Sequence, residues 1–331
     1  MLFYVNAPIY LVIKLDFSSI PAFWKGGKVE VFIIETIGCS SKEKKTSEFP
    51  NGETQSINSA TEAETENLTL AETETTEAEY IYIEETGETL ESRINVPKGY
   101  TRTKAKENSL SDFLRKYPLK EAGSPVLLYD GTPKGIQSDH AAVFKLPIEN
   151  YDLQQCADSI MRVYAEYYWS TEQYDKIGFH FSGDFVAEYS KWRDGYRISV
   201  NGDNCSWKKS AAYDDSYENF VKYMKIVFSY AGTFSMEGET KETMLSQIKV
   251  GDVFLKGGSP GHVVMVVDVC ENPEGKKAFL LAQGYMPAQE FHVLKNDLHE
   301  ENPWYFEEEV EYPFHTPEYT FEEGSLKSLT Y

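Results

Sequence analysis

Apolar residues recur at positions 153, 156/157, 160, 164 and 167/168. That spacing is near the helical period and predicts a helix over 153–169 with Asp152 as its cap. A second helix is predicted over 184–192. A third is predicted over 217–230, where Phe220, Tyr223, Met224, Val227 and Phe228 share one side and Gly232 marks the end. Upstream, 109–116 reads as a short amphipathic helix capped by Ser109. Residues 125–129 read as a strand before the turn at Asp130 and Gly131, and 141–146 as another. After the third helix come apolar runs at 250–255, 263–270 and 278–283. Helices first and an antiparallel half second make an α+β pattern. No internal repeat is visible.

The chain before residue 79 reads differently. Residues 2–15 are apolar but too short to span a bilayer, and Lys14 interrupts them. From 40 to 78 the chain is mostly Ser, Thr, Glu and Asn. Such a segment cannot bury enough apolar surface to offset its ordering entropy, so it is expected to be a disordered linker that proteases cut first. The expected division is a leader-like segment 1–39, a linker 40–78 and a single α+β domain 79–331. At 331 residues the chain can bury a sizeable core. The formal net charge of −21 speaks against nucleic acid and against adsorption to an anionic bilayer by charge. No Lys or Arg lies between Lys45 and Arg93, so much of the acid belongs to the linker and says little about substrate.

The chemistry concentrates in two residues. Cys156 lies in the first turn of its predicted helix, where the helix field favours a thiolate. His262 opens an apolar strand and can take a thiol proton and pass it to a leaving group. Each alone is equally at home in a core or a tight turn; the pairing singles them out. A third residue depends on strand register. A four-residue loop at 271–274 pairs Cys270 with Gly275 and sets His262 opposite Gln283, within about 5.5 Å. A two-residue loop at Glu274 and Gly275 leaves Gln283 on the same face but two pairs away, and an odd shift turns it to the other face. Gln289 and His292 are alternatives for this role. Backbone N–H groups at the helix start, with the Gln155 or Gln154 side chain as helper, are the expected oxyanion donors. For Gln154, a place on an exposed first turn is favoured.

Other chemistries find no pattern. None of Cys39, Cys156, Cys205 and Cys270 sits in a Cys-x-x-Cys pair, no phosphate-binding glycine loop opens a helix, and there is no His-Glu-x-x-His. No metal site and no cofactor are expected. Trp192 and Trp207 flank a turn-rich stretch that could stack on a sugar, with core packing the plainer role.

Gly251-Asp252-Val253-Phe254-Leu255, a glycine-rich turn, then Gly261-His262 and an apolar run resemble the second half of the NlpC-type, papain-like cell-wall amidases. The resemblance implies a papain-like fold with an antiparallel sheet packed on a Cys-bearing helix. It also implies hydrolysis of amide bonds, possible in cell-wall peptide, by Cys156, His262 and Gln283. Gln155-Cys156-Ala157-Asp158 departs from the Asp-Cys-Ser-Gly usual around that nucleophile, and the long interval to His262 requires an insertion over about 180–245. Residues 150–305 are also similar to an uncharacterised bacterial lipoprotein domain family of unknown function, through 155–159, 192–197, 230–233, 251–268 and 281–289. Lys25 and Lys28, an apolar run over 29–37 and Gly38-Cys39-Ser40 resemble a lipoprotein signal, although Glu30 and Glu35 interrupt the run. The resemblance implies lipidation at Cys39, an address in the cell envelope and membrane attachment through the lipid alone. The alternative function is a non-catalytic envelope lipoprotein that binds glycan or peptide in the same groove.

Overall fold

The computed structural model describes residues 80–202 and 204–331. The expectations for 1–39 and 40–78, lipidation of Cys39 included, lie outside the described residues. In chain order the elements are α1 (Leu90–Arg93), β1 (Thr101–Arg102), α2 (Leu110–Lys116), β2 (His140–Val143), α3 (Cys156–Ser170), β3 (Gly178–His180), β4 (Val186–Glu188), α4 (Tyr189–Arg193), β5 (Tyr196–Asn201), β6 (Asn204–Lys209), α5 (Tyr217–Tyr230), α6 (Thr233–Gly238), β7 (Thr240–Glu242), β8 (Asp252–Lys256), β9 (His262–Glu271), β10 (Lys277–Gln283), β11 (His292–Leu294), β12 (Tyr305–Phe306), β13 (Phe314–Thr316), β14 (Tyr319–Phe321) and β15 (Leu326–Leu329). The fold is mixed α/β, and its strands pair antiparallel.

The main sheet runs β2-β11-β10-β9-β8-β15-β7, with β1 added on β9 and β12 on β10. Both of its faces are covered, which is why β9 reads as an unbroken apolar run rather than an alternating one. Val263, Met265, Val267 and Cys270 join the core that contains α3 and α5. Val264, Val266 and Val269 join a second core with Phe314 of β13 and Phe321 of β14. The strand is anchored by Asp268, which is fully buried and accepts hydrogen bonds from Arg102 Nε (2.6 Å), Arg115 Nε (2.7 Å) and the Val269 N–H (2.9 Å).

Several local expectations change. The helix predicted from 153 begins at Cys156, with Gln155 rather than Asp152 at its cap. The Gln155 N–H donates to Asp158 Oδ2 (3.2 Å). Asp152 instead accepts from the Ala288 N–H (2.7 Å) and ties the helix start to the chain beyond β10. Gln154 is buried rather than exposed, its amide donating to the Pro147 carbonyl (3.1 Å). The helix predicted over 184–192 shrinks to α4, because Val186–Glu188 pair with β3. Long-range pairing overrides the local pattern there. The strand predicted over 125–129 makes only single bridges, Leu127 with Pro133 and Leu128 with Gln289. Pro133 has no N–H to extend that ladder.

Candidate functional site

A cleft of about 380 Å³ opens where β8 ends, β9 begins and α3 starts. Cys156 and His262 both line it, as do Asp152, Gln155, Asp158, Tyr285 and Tyr319. Two glycines let the backbone reach this arrangement. At Gly261 a Cβ would come within 2.4 Å of the Gly258 carbonyl and 2.7 Å of the Lys256 carbonyl, so the turn that presents His262 has no room for one. At Gly284 a Cβ would meet Ser159 Oγ at 2.1 Å and the Gln155 carbonyl at 3.0 Å. The chain leaving Gln283 therefore passes against the first turn of α3 in direct contact, which brings the end of β10 to the cysteine helix.

Register decides what Gln283 does. The loop between β9 and β10 is neither of those expected. Glu271 pairs with Lys277 and Cys270 with Ala278, across a turn in which Asn272 Oδ1 accepts from the N–H groups of Glu274 and Lys276. Continued unchanged, that register would put Gln283 opposite Met265, on the face away from His262. A bulge intervenes. Leu280 pairs with Asp268, but Leu281 pairs with Val266, so one residue of β9 is skipped. The one-residue shift moves Gln283 to the face of His262. There Gln283 Oε1 lies 2.7 Å from His262 Nε2. Both side chains are buried, the imidazole being 2 % exposed beneath the rings of Tyr285 (4.7 Å) and Tyr319 (4.9 Å).

Cys156 is a partly buried free thiol. Burial pushes it up to about 11, and the Asp158 carboxylate adds to the rise. The N–H groups of Ala157, Val263 and Cys156 itself oppose the shift by favouring negative charge on sulfur. Burial pushes His262 down to about 4, against the hydrogen bond to Gln283 and the charge of Glu318. The resting pair at neutral pH is thus a thiol and a neutral imidazole. Gln155 lines the cleft, but its amide Nε2 donates to Asp152 Oδ1 (3.0 Å).

Asp158 is the acid nearest the thiol in sequence. Burial pushes its carboxyl up to about 8 against hydrogen bonds from backbone N–H groups, and its Oδ1 has no hydrogen-bond partner. The folded chain therefore holds a proton that the unfolded chain releases near its ordinary value of 3.8. Stability from this residue is full below about pH 4 and falls as pH rises toward 8. Asp158→Asn is expected to be stabilising at about pH 8, with the gain shrinking toward about pH 5, and to lower the Cys156 pKa. Urea unfolding at the two pH values and the pH dependence of alkylation check this. An equal offset at both pH values contradicts it.

Of the alternatives to Gln283, His292 pairs directly with it across β10 and β11 but makes no hydrogen bond to His262. His292 is fully buried with Nδ1 2.8 Å from the Glu290 carbonyl, and Gln289 is buried beside it in sequence with its Nε2 unpartnered. Trp192 is buried and donates to Asn219 Oδ1 (2.9 Å), with the Arg197 guanidinium 4.3 Å from its ring, so it packs rather than faces the cleft. Trp207 sits on the β5–β6 hairpin. Among the described residues no cluster of His, Cys, Asp and Glu could hold a metal ion. Sequence reasoning missed Glu318, in the turn between β13 and β14, and Lys134. Glu318 Oε2 accepts from Gln283 Nε2 (2.6 Å) and pairs with Lys134 Nζ (2.7 Å). The only sequence signal for Glu318 was its place in a Pro-Glu turn between two short aromatic strands.

The chain belongs to the family described as domain of unknown function (4846), whose model matches residues 90–328. No curated protein and no solved structure matches the chain.

Proposed function

We propose that this domain is a cysteine hydrolase of amide bonds with papain-like, NlpC-type character. The observation that carries the reading is the shared cleft: Cys156 and His262 line it together, and Gln283 holds Nε2 of the imidazole at 2.7 Å. Cys156 is the nucleophile, His262 the base and Gln283 the orienting residue. With Nε2 held by Gln283, the ring receives the thiol proton at Nδ1. Sulfur attacks the substrate carbonyl, and backbone N–H groups at the start of α3 are the expected oxyanion donors. The imidazolium then protonates the leaving amine, and water hydrolyses the acyl-thioester. Because both groups rest neutral, proton transfer belongs to the attack step rather than to a preformed ion pair. Cell-wall peptide is the substrate class through the resemblance of 251–268 to the cell-wall amidases. A lipid anchor at Cys39 followed by a polar tether would hold the domain in the envelope.

A second reading is favoured by two observations: the neutral pair and the burial of His262 beneath Tyr285 and Tyr319. In it the groove binds peptide or glycan without cleaving it. Alkylation by iodoacetamide separates the two. The hydrolase reading expects the Cys156 rate to depend on His262 and to keep rising well above pH 9 toward its pKa of about 11. His262→Ala is expected to slow that reaction about tenfold or more. Equal reactivity of Cys156 with and without the imidazole supports the binding module instead.

A further inference from the structure

We propose that Glu318 is a positioning residue that sets the tautomer of His262 through the amide of Gln283. The chain of contacts is short and buried. Glu318 Oε2 lies 2.6 Å from Gln283 Nε2, and Gln283 Oε1 lies 2.7 Å from His262 Nε2. A carboxylate can only accept hydrogen bonds. The NH2 end of the Gln283 amide must therefore face Glu318, and its oxygen must face the ring. An oxygen there requires a proton on His262 Nε2. Nδ1 is left with a bare lone pair, the form able to take a proton. Without Glu318 the amide can turn over and present its NH2 group to the ring. The imidazole would then carry its proton on Nδ1, where it cannot act as a base.

The surroundings keep Glu318 an acceptor. Its side chain is 12 % exposed, and the buried Lys134 ammonium pairs with the same oxygen at 2.7 Å. His292 Nε2 stands 3.8 Å away. Burial alone would raise the carboxyl, but the Lys134 ammonium and the nearby His292 outweigh it and hold the group below its ordinary value. The β13–β14 hairpin thus does more than cover the second core. Its turn delivers the group that orients Gln283. The tautomer follows from the hydrogen-bond chain alone; its consequence for the thiol rests on the hydrolase reading above.

The test uses the full chain labelled with 15N-histidine. Two-bond proton–nitrogen correlation gives the tautomer of His262, assigned by its loss in His262→Ala, and iodoacetamide gives the Cys156 rate on the same samples. The native chain is expected to show Nε2–H at neutral pH. Glu318→Met is expected to populate the Nδ1–H form and to slow alkylation about tenfold. Glu318→Gln keeps an acceptor oxygen and is expected to restore both readings. If Glu318→Met fails to fold because Lys134 is left buried and unpaired, the double variant Lys134→Met, Glu318→Met gives the same comparison without a stranded cation. Unchanged Nε2–H in the Met variants overturns the proposal whatever the alkylation rate does. So does a Gln variant that behaves like the Met variant. A tautomer change with no change in alkylation upholds the positioning role and counts against the hydrolase reading alone.

Discussion

Cys156→Ser is expected to abolish hydrolysis of a cell-wall peptide while leaving the fold unchanged. The two side chains are nearly the same size, and the position is only partly buried, so packing is little disturbed. The chemistry is not. A serine hydroxyl is far harder to ionise than a thiol, and an imidazole held near 4 is a weak base for it. Losing a nucleophile of this kind costs on the order of 10⁴-fold or more in rate. Turnover of a defined peptide, with circular dichroism as the fold control, checks this. A serine variant within tenfold of the native rate would remove Cys156 from the mechanism.

The largest expected effect on stability comes from Asp268→Ala. Asp268 is fully buried and joins Arg102 at 2.6 Å and Arg115 at 2.7 Å. Removing one side of a buried ion cluster leaves the other charges uncompensated and costs about 3–5 kcal/mol. The loss reaches the site as well. Asp268 stands beside the bulge that turns Gln283 toward His262, and it ties β9 to α2 through Arg115 and to β1 through Arg102. Loosening that anchor releases the register constraint at Leu280 and Leu281. Urea unfolding should show the full loss, and the His262–Gln283 contact should weaken in the folded fraction. A cost below about 1 kcal/mol would mean that the two arginines find other partners.

The long periodic elements were legible in the chain. The helix over 217–230 is α5 as observed, and the apolar runs over 263–270 and 278–283 are β9 and β10 to within a residue. Their periods are clean and each element is long enough to show them. The placement of Cys156 at a helix start and His262 at a strand start also followed from local pattern. The register between β9 and β10 did not. Val263, Val264, Met265, Val266 and Val267 are all apolar because both faces of β9 are buried. With no alternation there is nothing in that run to mark a skipped residue. Parity, and with it the face of Gln283, is set by the bulge and the Asn272 turn together. Glu318 was hidden for another reason. It meets Gln283 only because the β13–β14 hairpin folds over the second core, and in sequence it is one acid among many. The capping expectation at Asp152 failed on a tertiary contact, since the carboxylate accepts from the Ala288 N–H and the Gln155 side chain rather than from the backbone of the first helical turn.

On the hydrolase reading, Cys156 forms a covalent bond to the substrate acyl group. The most direct measurement is the mass of the native chain, quenched in acid during turnover of a cell-wall peptide and mapped by proteolysis. The expected result is an added mass equal to the acyl half of the peptide, on the fragment that contains Cys156, and its removal by hydroxylamine as for a thioester. A Cys156 fragment that stays unmodified while the peptide is cleaved, or a peptide that binds and leaves the cleft uncleaved, would contradict it.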